Sequence, residues 1–343
     1  MEQRIGFVET PHGRVAYATT GSGPALFCDT GWVSHLDVWR RGDAYRAFFE
    51  RLAEHHTLIR YDKPGTGLSD RTRDDLSAEP EVRAVEAIVE ALAIRRLTFL
   101  GMSQGGTIAA RYTARHPDVV ERLVLYGTFA RGADLARPDV RDSVAALTRA
   151  HWGMGSKTLA DLFVAGCDPE TERWFVEAQR ASADGEMAAR LLEAIYATDV
   201  TDELRRIRCP TLVLHRERDH AIAFAAGREV AALVPGATFV PLPGAAHIAY
   251  VAEAQPVLDA ILDFIGDGRS ATSPLTPREV EVASLVADGL TNAEIALRLD
   301  VAPKTVDAHV EHIRNKLAMR SRTQIGVWAT EHGLRRTKTV AER

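Results

Sequence analysis

Three cysteines in 343 residues, Cys28, Cys167 and Cys209, are too few and too scattered for a disulfide framework or a thiolate metal cluster. That scarcity fits a reducing compartment. No apolar run approaches the roughly 20 residues that cross a bilayer, so no membrane partner is expected. The opening Met-Glu-Gln-Arg-Ile-Gly lacks the basic-then-apolar order of an export signal, and a cytoplasmic location is the expectation. Positive charge is not in excess either. With 42 Lys and Arg against 47 Asp and Glu, the net charge of −5 excludes indiscriminate coating of nucleic acid. No internal repeat is visible, and neither a metal nor a cofactor is expected.

The charge that is present is unevenly placed. From Ser270 onward 11 Lys or Arg face 9 Asp or Glu, a net of +2, leaving −7 on the rest. Within Val301–Thr323 the ratio is 5 basic to 2 acidic residues. A tail of different electrostatic character therefore follows an acidic body.

The body alternates two periodicities. Apolar, β-branched segments at Arg4–Glu9, Val15–Thr19, Ala25–Cys28, Thr57–Tyr61, Leu97–Leu100, Arg122–Tyr126, Thr211–His215 and Thr238–Pro241 read as strands. Helical patterns such as Glu81–Ala93 and Gln104–His116 separate most of the later ones. The pattern predicts an α/β fold with a largely parallel sheet, after two strands able to form an antiparallel edge. Between Arg131 and Asp199 the strand signal vanishes, and helices carrying Trp152, Phe163, Trp174, Phe175, Met187 and Tyr196 replace it. This segment is expected to be a helical lid over the carboxyl edge of the sheet. Its aromatic residues serve equally well as the core of an ordinary helical layer. The resulting division is a body over 1–266, a linker over 267–274 and a tail domain over 275–343. Gly266–Pro274 is small, polar and aperiodic, and as a flexible coil would span about 17 Å.

One stretch points directly to chemistry. Phe99-Leu100-Gly101-Met102-Ser103-Gln104-Gly105-Gly106 carries Gly-x-Ser-x-Gly between a short apolar strand and an Ala-rich helix. A serine on so sharp a turn holds a strained backbone, and the glycines remove the Cβ atoms that would clash. A neutral serine needs a base oriented by a third group. His247, in a small-residue loop after the last strand, is the candidate base, with His220 as its rival. The loop after Thr211–His215 offers Glu217 and Asp219 as the acid. The oxyanion needs two backbone N–H groups, expected from Gln104 and from Trp32 in the loop after Ala25–Cys28.

Residues 1–266 resemble an α/β-hydrolase. The elbow Gly101–Gly105, the loop Tyr61-Asp62-Lys63-Pro64-Gly65-Thr66-Gly67-Leu68-Ser69 and the Asp219 and His247 loops carry the likeness. Gly31-Trp32-Val33-Ser34-His35-Leu36 resembles hydrolase-like domains fused to bacterial signalling modules. The resemblance implies a Ser103–Asp219–His247 triad and favours Asp219 over Glu217. Many members carry His-Gly in the oxyanion loop, whereas Thr30-Gly31 stands here.

In the tail, Thr276-Pro277-Arg278-Glu279 and Thr291-Asn292-Ala293-Glu294 read as capping boxes. Four helices are predicted, over Pro277–Asp288, Asn292–Leu299, Pro303–Leu317 and Ser321–His332, the third lacking a side-chain cap at Ala302. Val306, Val310, Ile313 and Leu317 form its buried stripe, and its polar face suits either solvent or a ligand. Leu275-Thr276-Pro277-Arg278-Glu279, Gly289-Leu290-Thr291-Asn292-Ala293-Glu294-Ile295-Ala296, Thr305-Val306-Asp307-Ala308-His309-Val310 and Lys316-Leu317 resemble the LuxR/GerE family of helix-turn-helix DNA-binding domains. By that resemblance Pro303–Leu317 enters the major groove of double-stranded DNA. Lys304, Thr305, Arg314, Lys316 and Arg322 would mostly contact phosphate, and Asp307, Ala308 and Glu311 would face bases. A homodimer is expected, with Ile325, Trp328 and Ala329 of the fourth helix as its contact. Two functions fit the fusion: a transcription regulator sensing a small apolar ester, lactone or amide, or a working serine hydrolase tethered or autoregulated by its DNA reader. A binding scaffold without chemistry is a third.

Overall fold

The computed structural model describes residues 1–266, 275, 277–299, 301–317, 319 and 321–331. The expected linker over 267–274 and the proposed cap Thr276 lie outside them. The chain divides into two compact units, Met1–Leu262 and Asp263–Arg343.

The first unit is built on one sheet of β1 (Gln3–Thr10), β2 (Gly13–Thr20), β3 (Ala25–Asp29), β4 (Thr57–Tyr61), β5 (Leu97–Met102), β6 (Val120–Tyr126), β7 (Thr211–Arg216) and β8 (Thr238–Leu242). Their order is β1-β2-β4-β3-β5-β6-β7-β8. β2 pairs antiparallel with both β1 and β4, and every later pairing is parallel. The central strands are buried along their whole length, as a sheet covered on both faces requires. β5 runs two residues beyond the Leu100 end read from the sequence. Gly101 and Met102 still pair in register with Leu125 and Tyr126 of β6, a constraint that only the neighbour supplies.

Helices α1 (Asp43–Ala53), α2 (Glu79–Ala91) and α3 (Gln104–Arg115) connect the first strands. After β6 come α4 (Pro138–Ala150), α5 (Trp152–Phe163), α6 (Pro169–Ser182), α7 (Gly185–Tyr196) and α8 (Thr201–Arg206), then α9 (Phe224–Leu233) and α10 (Ala254–Ile265). The excursion from β6 is pinned at its base by an antiparallel bridge between Arg131 and Asp199. Gly132 N donates to Thr198 O and Val200 N to Ala130 O, closing the same neck. Phe27, Phe99, Val85, Ile88, Ile108 and Leu123 belong to the apolar core between sheet and helices.

The second unit contains α11 (Pro277–Ala287), α12 (Asn292–Leu299), α13 (Pro303–Lys316) and α14 (Arg322–Glu331). Glu294 N donates to Thr291 Oγ1 at 3.3 Å and Thr291 N to Glu294 Oε2 at 2.7 Å, so the second capping box forms as read. Ser321 and Gln324 form another, which the sequence reading did not identify. Ala302 supplies no side-chain cap to α13. Val306 and Ile313 are buried, with Val310 and Leu317 packed beside them.

A charged cluster is sealed inside the first unit. Lys63 Nζ lies 2.8 Å from Asp29 Oδ2 and 2.6 Å from Glu81 Oε2, and Arg73 reaches Glu81 Oε1 at 2.8 Å. Burial opposes ionisation of Glu81, but the charges of Lys63 and Arg73 outweigh it and draw the carboxyl down to about 2. Asp29, equally buried and sharing the ammonium with Glu81, is pushed upward. Lys63→Met removes the central cation and should cost about 3–5 kcal/mol in denaturant unfolding, because buried Asp29 loses its cation and Glu81 keeps only Arg73. Since Glu81 is depressed in the folded state, its contribution is complete above its ordinary value of 4.5. The wild type should therefore lose stability relative to Glu81→Gln as pH falls from 4.5 towards about 2.

Candidate functional site

Ser103 stands between the last residue of β5 and the first of α3, at φ 54° and ψ −129°. A non-glycine residue held there stores of order 1–3 kcal/mol of strain. Its surroundings tolerate no bulk. A Cβ on Gly101 would lie 2.7 Å from Ala109 Cβ, and one on Gly105 would lie 2.4 Å from Asp29 Oδ1. The turn is fastened to the sheet by Ser103 N, which donates to Tyr126 O at 2.8 Å.

Three sequence-distant side chains meet at this turn. Ser103 Oγ lies 2.8 Å from His247 Nε2, and His247 Nδ1 lies 2.8 Å from Asp219 Oδ2. The other Asp219 oxygen accepts from Ala221 N at 2.8 Å and Ile222 N at 3.0 Å. Burial raises the cost of charge on Asp219. The charge and hydrogen bond of His247 and the N–H of Ile222 overcome it and hold the carboxyl below its usual value. An ionised Asp219 only accepts, so His247 Nδ1 carries the proton and Nε2 presents its lone pair to the Ser103 hydroxyl. The alternatives read from sequence fall away from this line. Glu217 is exposed, and His220, although it borders the same cavity, is not the imidazole bonded to Ser103.

Ser103 opens on a cavity of about 260 Å³. Trp32 and Gln104 border it together with Phe129 from the sheet side. Leu135, Val140, Val144, Leu159, Leu162 and Leu192 supply an apolar wall from α4, α5, α7 and the segment before them. Of the aromatic residues noted in this segment, Phe163 and Tyr196 face the cavity. Trp174 and Phe175 instead pack against Trp39. Trp152 stands edge-on to Trp32 at 6.2 Å. Two features escaped the sequence reading. Phe163 O accepts from His247 N at 2.8 Å and Ile248 N at 3.1 Å, joining α5 to the histidine loop. Gln104 Nε2 also donates to Glu81 Oε2 at 3.1 Å, linking the turn to the buried charges.

The fold extends to known proteins. A model of the α/β hydrolase fold matches residues 24–254. The chain belongs to the α/β-hydrolase fold family. A model of bacterial regulatory proteins of the LuxR family matches residues 273–329, so the hydrolase unit is followed by a LuxR-type helix-turn-helix. The bifunctional esterase/perhydrolase DCH of Acinetobacter calcoaceticus is 27% identical over 76% of this chain and 99% of its own length. The crystal structure of a hydrolase from Pseudomonas aeruginosa PA01 matches 77% of this chain and 98% of that one, with TM-score 0.67 and 28% identity. The enol-lactonase from Burkholderia xenovorans LB400 matches 76% of this chain and all of that one, with TM-score 0.67 and 25% identity. No described helix is long and apolar enough to cross a membrane.

In the LuxR-type unit, Lys304, Thr305, Asp307, Ala308, Glu311, Arg314 and Lys316 are exposed on α13. Several already have intramolecular partners. Lys316 Nζ pairs with Glu279 at 2.7 Å, and Asp307 Oδ1 accepts from Asn292 Nδ2 at 2.7 Å. Arg322 is half-buried and donates to Asn292 Oδ1 and Leu290 O, which ties the start of α14 to α12. Two of the three residues expected to form a dimer contact, Ile325 and Ala329, need correction; Trp328 is partly buried against the unit's core. Ile325 and Ala329 are fully buried, because α14 needs that face to close the core of its own unit. Val327, about half exposed, lies on the outer side of α14.

Proposed function

We propose that the chain is a DNA-binding transcription regulator whose hydrolase unit senses, and hydrolyses, a small apolar ester, lactone or amide. The observation that carries this reading is the Ser103–His247–Asp219 relay, with both links at 2.8 Å, opening on an apolar cavity in a chain that also holds a LuxR-type helix-turn-helix. Ser103 Oγ attacks the acyl carbon while His247 Nε2 takes its proton, and Asp219 stabilises the resulting imidazolium. The backbone N–H groups of Gln104 and Trp32 receive the oxyanion. Collapse expels the alcohol or amine, protonated by His247, and water then hydrolyses the acyl-enzyme through the same base. A ring-opened lactone would leave by the same steps as one product.

Occupancy of the cavity shifts operator affinity by whatever difference the ligand has for the two DNA-binding states. Double-stranded DNA is read by α13 in the major groove, with Asp307, Ala308 and Glu311 towards bases and Lys304, Thr305, Arg314 and Lys316, with Arg322 of α14, mostly towards phosphate. A homodimer acting in the cytoplasm supplies the second half-site. The relay itself supports a second reading, in which hydrolysis is the main activity and the DNA reader tethers or autoregulates it.

A fluorophosphonate probe should label the wild-type full chain and leave Ser103→Ala unlabelled; equal labelling of the two discards the nucleophile. Sites selected from genomic DNA by the purified chain supply the operator, and neighbouring genes the chemical class to test. If Ser103→Ala keeps ligand-dependent operator binding, sensing does not need turnover; if no apolar ester or lactone alters operator affinity, the sensor reading fails. On a library of operator variants, Glu311→Ala should relax preference at one base pair by about 1–3 kcal/mol. Lys304→Ala, exposed on the same helix, should weaken all sequences alike and flatten the salt dependence by roughly one ion. Lys316→Ala is the poorer probe because it also strips Glu279 of a partner.

A further inference from the structure

We infer that Arg216 is a positioning residue for His247, holding the loop that presents the imidazole without touching a reacting atom; this rests on the serine-hydrolase reading above. Arg216 ends β7, a strand buried at every position, and its own side chain is 0% exposed. A guanidinium shut away from water needs acceptors within the protein. The protons of its two Nη atoms go to carbonyls of one loop, while its Nε has no partner among the described residues. Nη1 donates to Ala246 O at 2.8 Å, and Nη2 to Ala252 O at 2.8 Å and Val251 O at 3.0 Å, with Glu253 O at 3.4 Å and Ala249 O at 3.5 Å.

These acceptors bracket the base. Ala246 immediately precedes His247, and the others follow within six residues. Ala252 and Glu253 have φ of 40° and 21°, a conformation that non-glycine residues hold only when something external fixes it. A planar fork binds carbonyls on both sides of the loop at once, which a single ammonium cannot do. The main chain of Arg216 serves the acid loop as well: Asp219 N donates to Arg216 O at 3.3 Å. One residue therefore anchors the Asp219 loop by its carbonyl and the His247 loop by its guanidinium, and so sets the spacing across which His247 and Asp219 meet at 2.8 Å. Phe163 O holds His247 N from the lid side, so loss of Arg216 leaves the loop fixed on one side and loose on the other.

The test compares the full-length wild type, Arg216→Met, Arg216→Lys and Ser103→Ala. Readouts are p-nitrophenyl butyrate hydrolysis, fluorophosphonate labelling, thermal unfolding and the low-field proton resonance of the His247 Nδ1–H, identified by its loss in His247→Gln. In Arg216→Met, kcat should fall about 100-fold with KM changed less than about 3-fold, the signature of a misplaced base rather than a damaged pocket. The resonance should broaden or vanish, and Arg216→Lys should recover part of both. Should Arg216→Met fail to melt cooperatively, the lysine variant decides alone, by a reduced kcat at native melting behaviour. A folded Arg216→Met with wild-type kcat and an intact resonance overturns the inference and leaves the hydrolase reading standing. A wild type that neither turns over the ester nor labels through Ser103 defeats the hydrolase reading, and the resonance still judges Arg216. Persistence in Arg216→Met, or absence from the wild type, counts against the inference; selective loss in the variant supports it.

Discussion

Ser103 occupies a backbone conformation that an L-residue does not choose alone, and much of the first unit serves to hold it there. The turn is bonded to β6 through Tyr126 O, and α3 starts at once because Gly105 lets its backbone lie against Asp29. Asp29 is buried and accepts from Tyr61 and Lys63, Lys63 is shared with Glu81, and Glu81 in turn takes Arg73 and the side chain of Gln104. A strained turn, a buried carboxylate behind it and an interior set of charges thus form one connected structure. Each supports the others, since an isolated buried charge or an unsupported positive φ is costly by itself.

The buried Asp219 carboxyl keeps its charge because His247 and the N–H of Ile222 outweigh the cost of burial. Asp219 is sealed and ionised, so it fixes the proton of His247 on Nδ1 and directs Nε2 at Ser103. The imidazole is held through its main chain by the lid on one side, and its ring packs 5.5 Å from that of Phe163. Since Phe163 also faces the cavity, one residue both lines that wall and holds the His247 loop.

The LuxR-type unit illustrates a different economy. It is too small to spare apolar surface, and so the fourth helix uses Ile325 and Ala329 for its own core. Some polar residues of α13 are likewise engaged. Asp307 is linked through Asn292 to Arg322, spanning α13, α12 and α14, and Lys316 reaches back to Glu279 of α11. Side chains that face outward also fix the angles between short helices.

The strand–elbow–helix turn and the Thr291 capping box were legible because each depends on residues close in sequence, and the strands and helices of the sheet because each carries its own local periodicity. Choosing Asp219 over Glu217 required resemblance, since both sit in one loop and only folding shows which carboxylate is sealed. Arg216 looked like the first residue of a polar loop after an apolar strand, and Lys63 like part of a glycine-rich loop. Their partners lie 30 or more residues away for Ala246 and 34 for Asp29, so no local pattern announces them. Sequence alone therefore determined the reactive turn and the two kinds of unit, through short-range sterics and hydrophobic spacing. Tertiary structure decided which charges are buried together, which lid residues face the cavity and which face of α14 remains exposed, because these depend on surfaces that exist only after distant segments pack and exclude water.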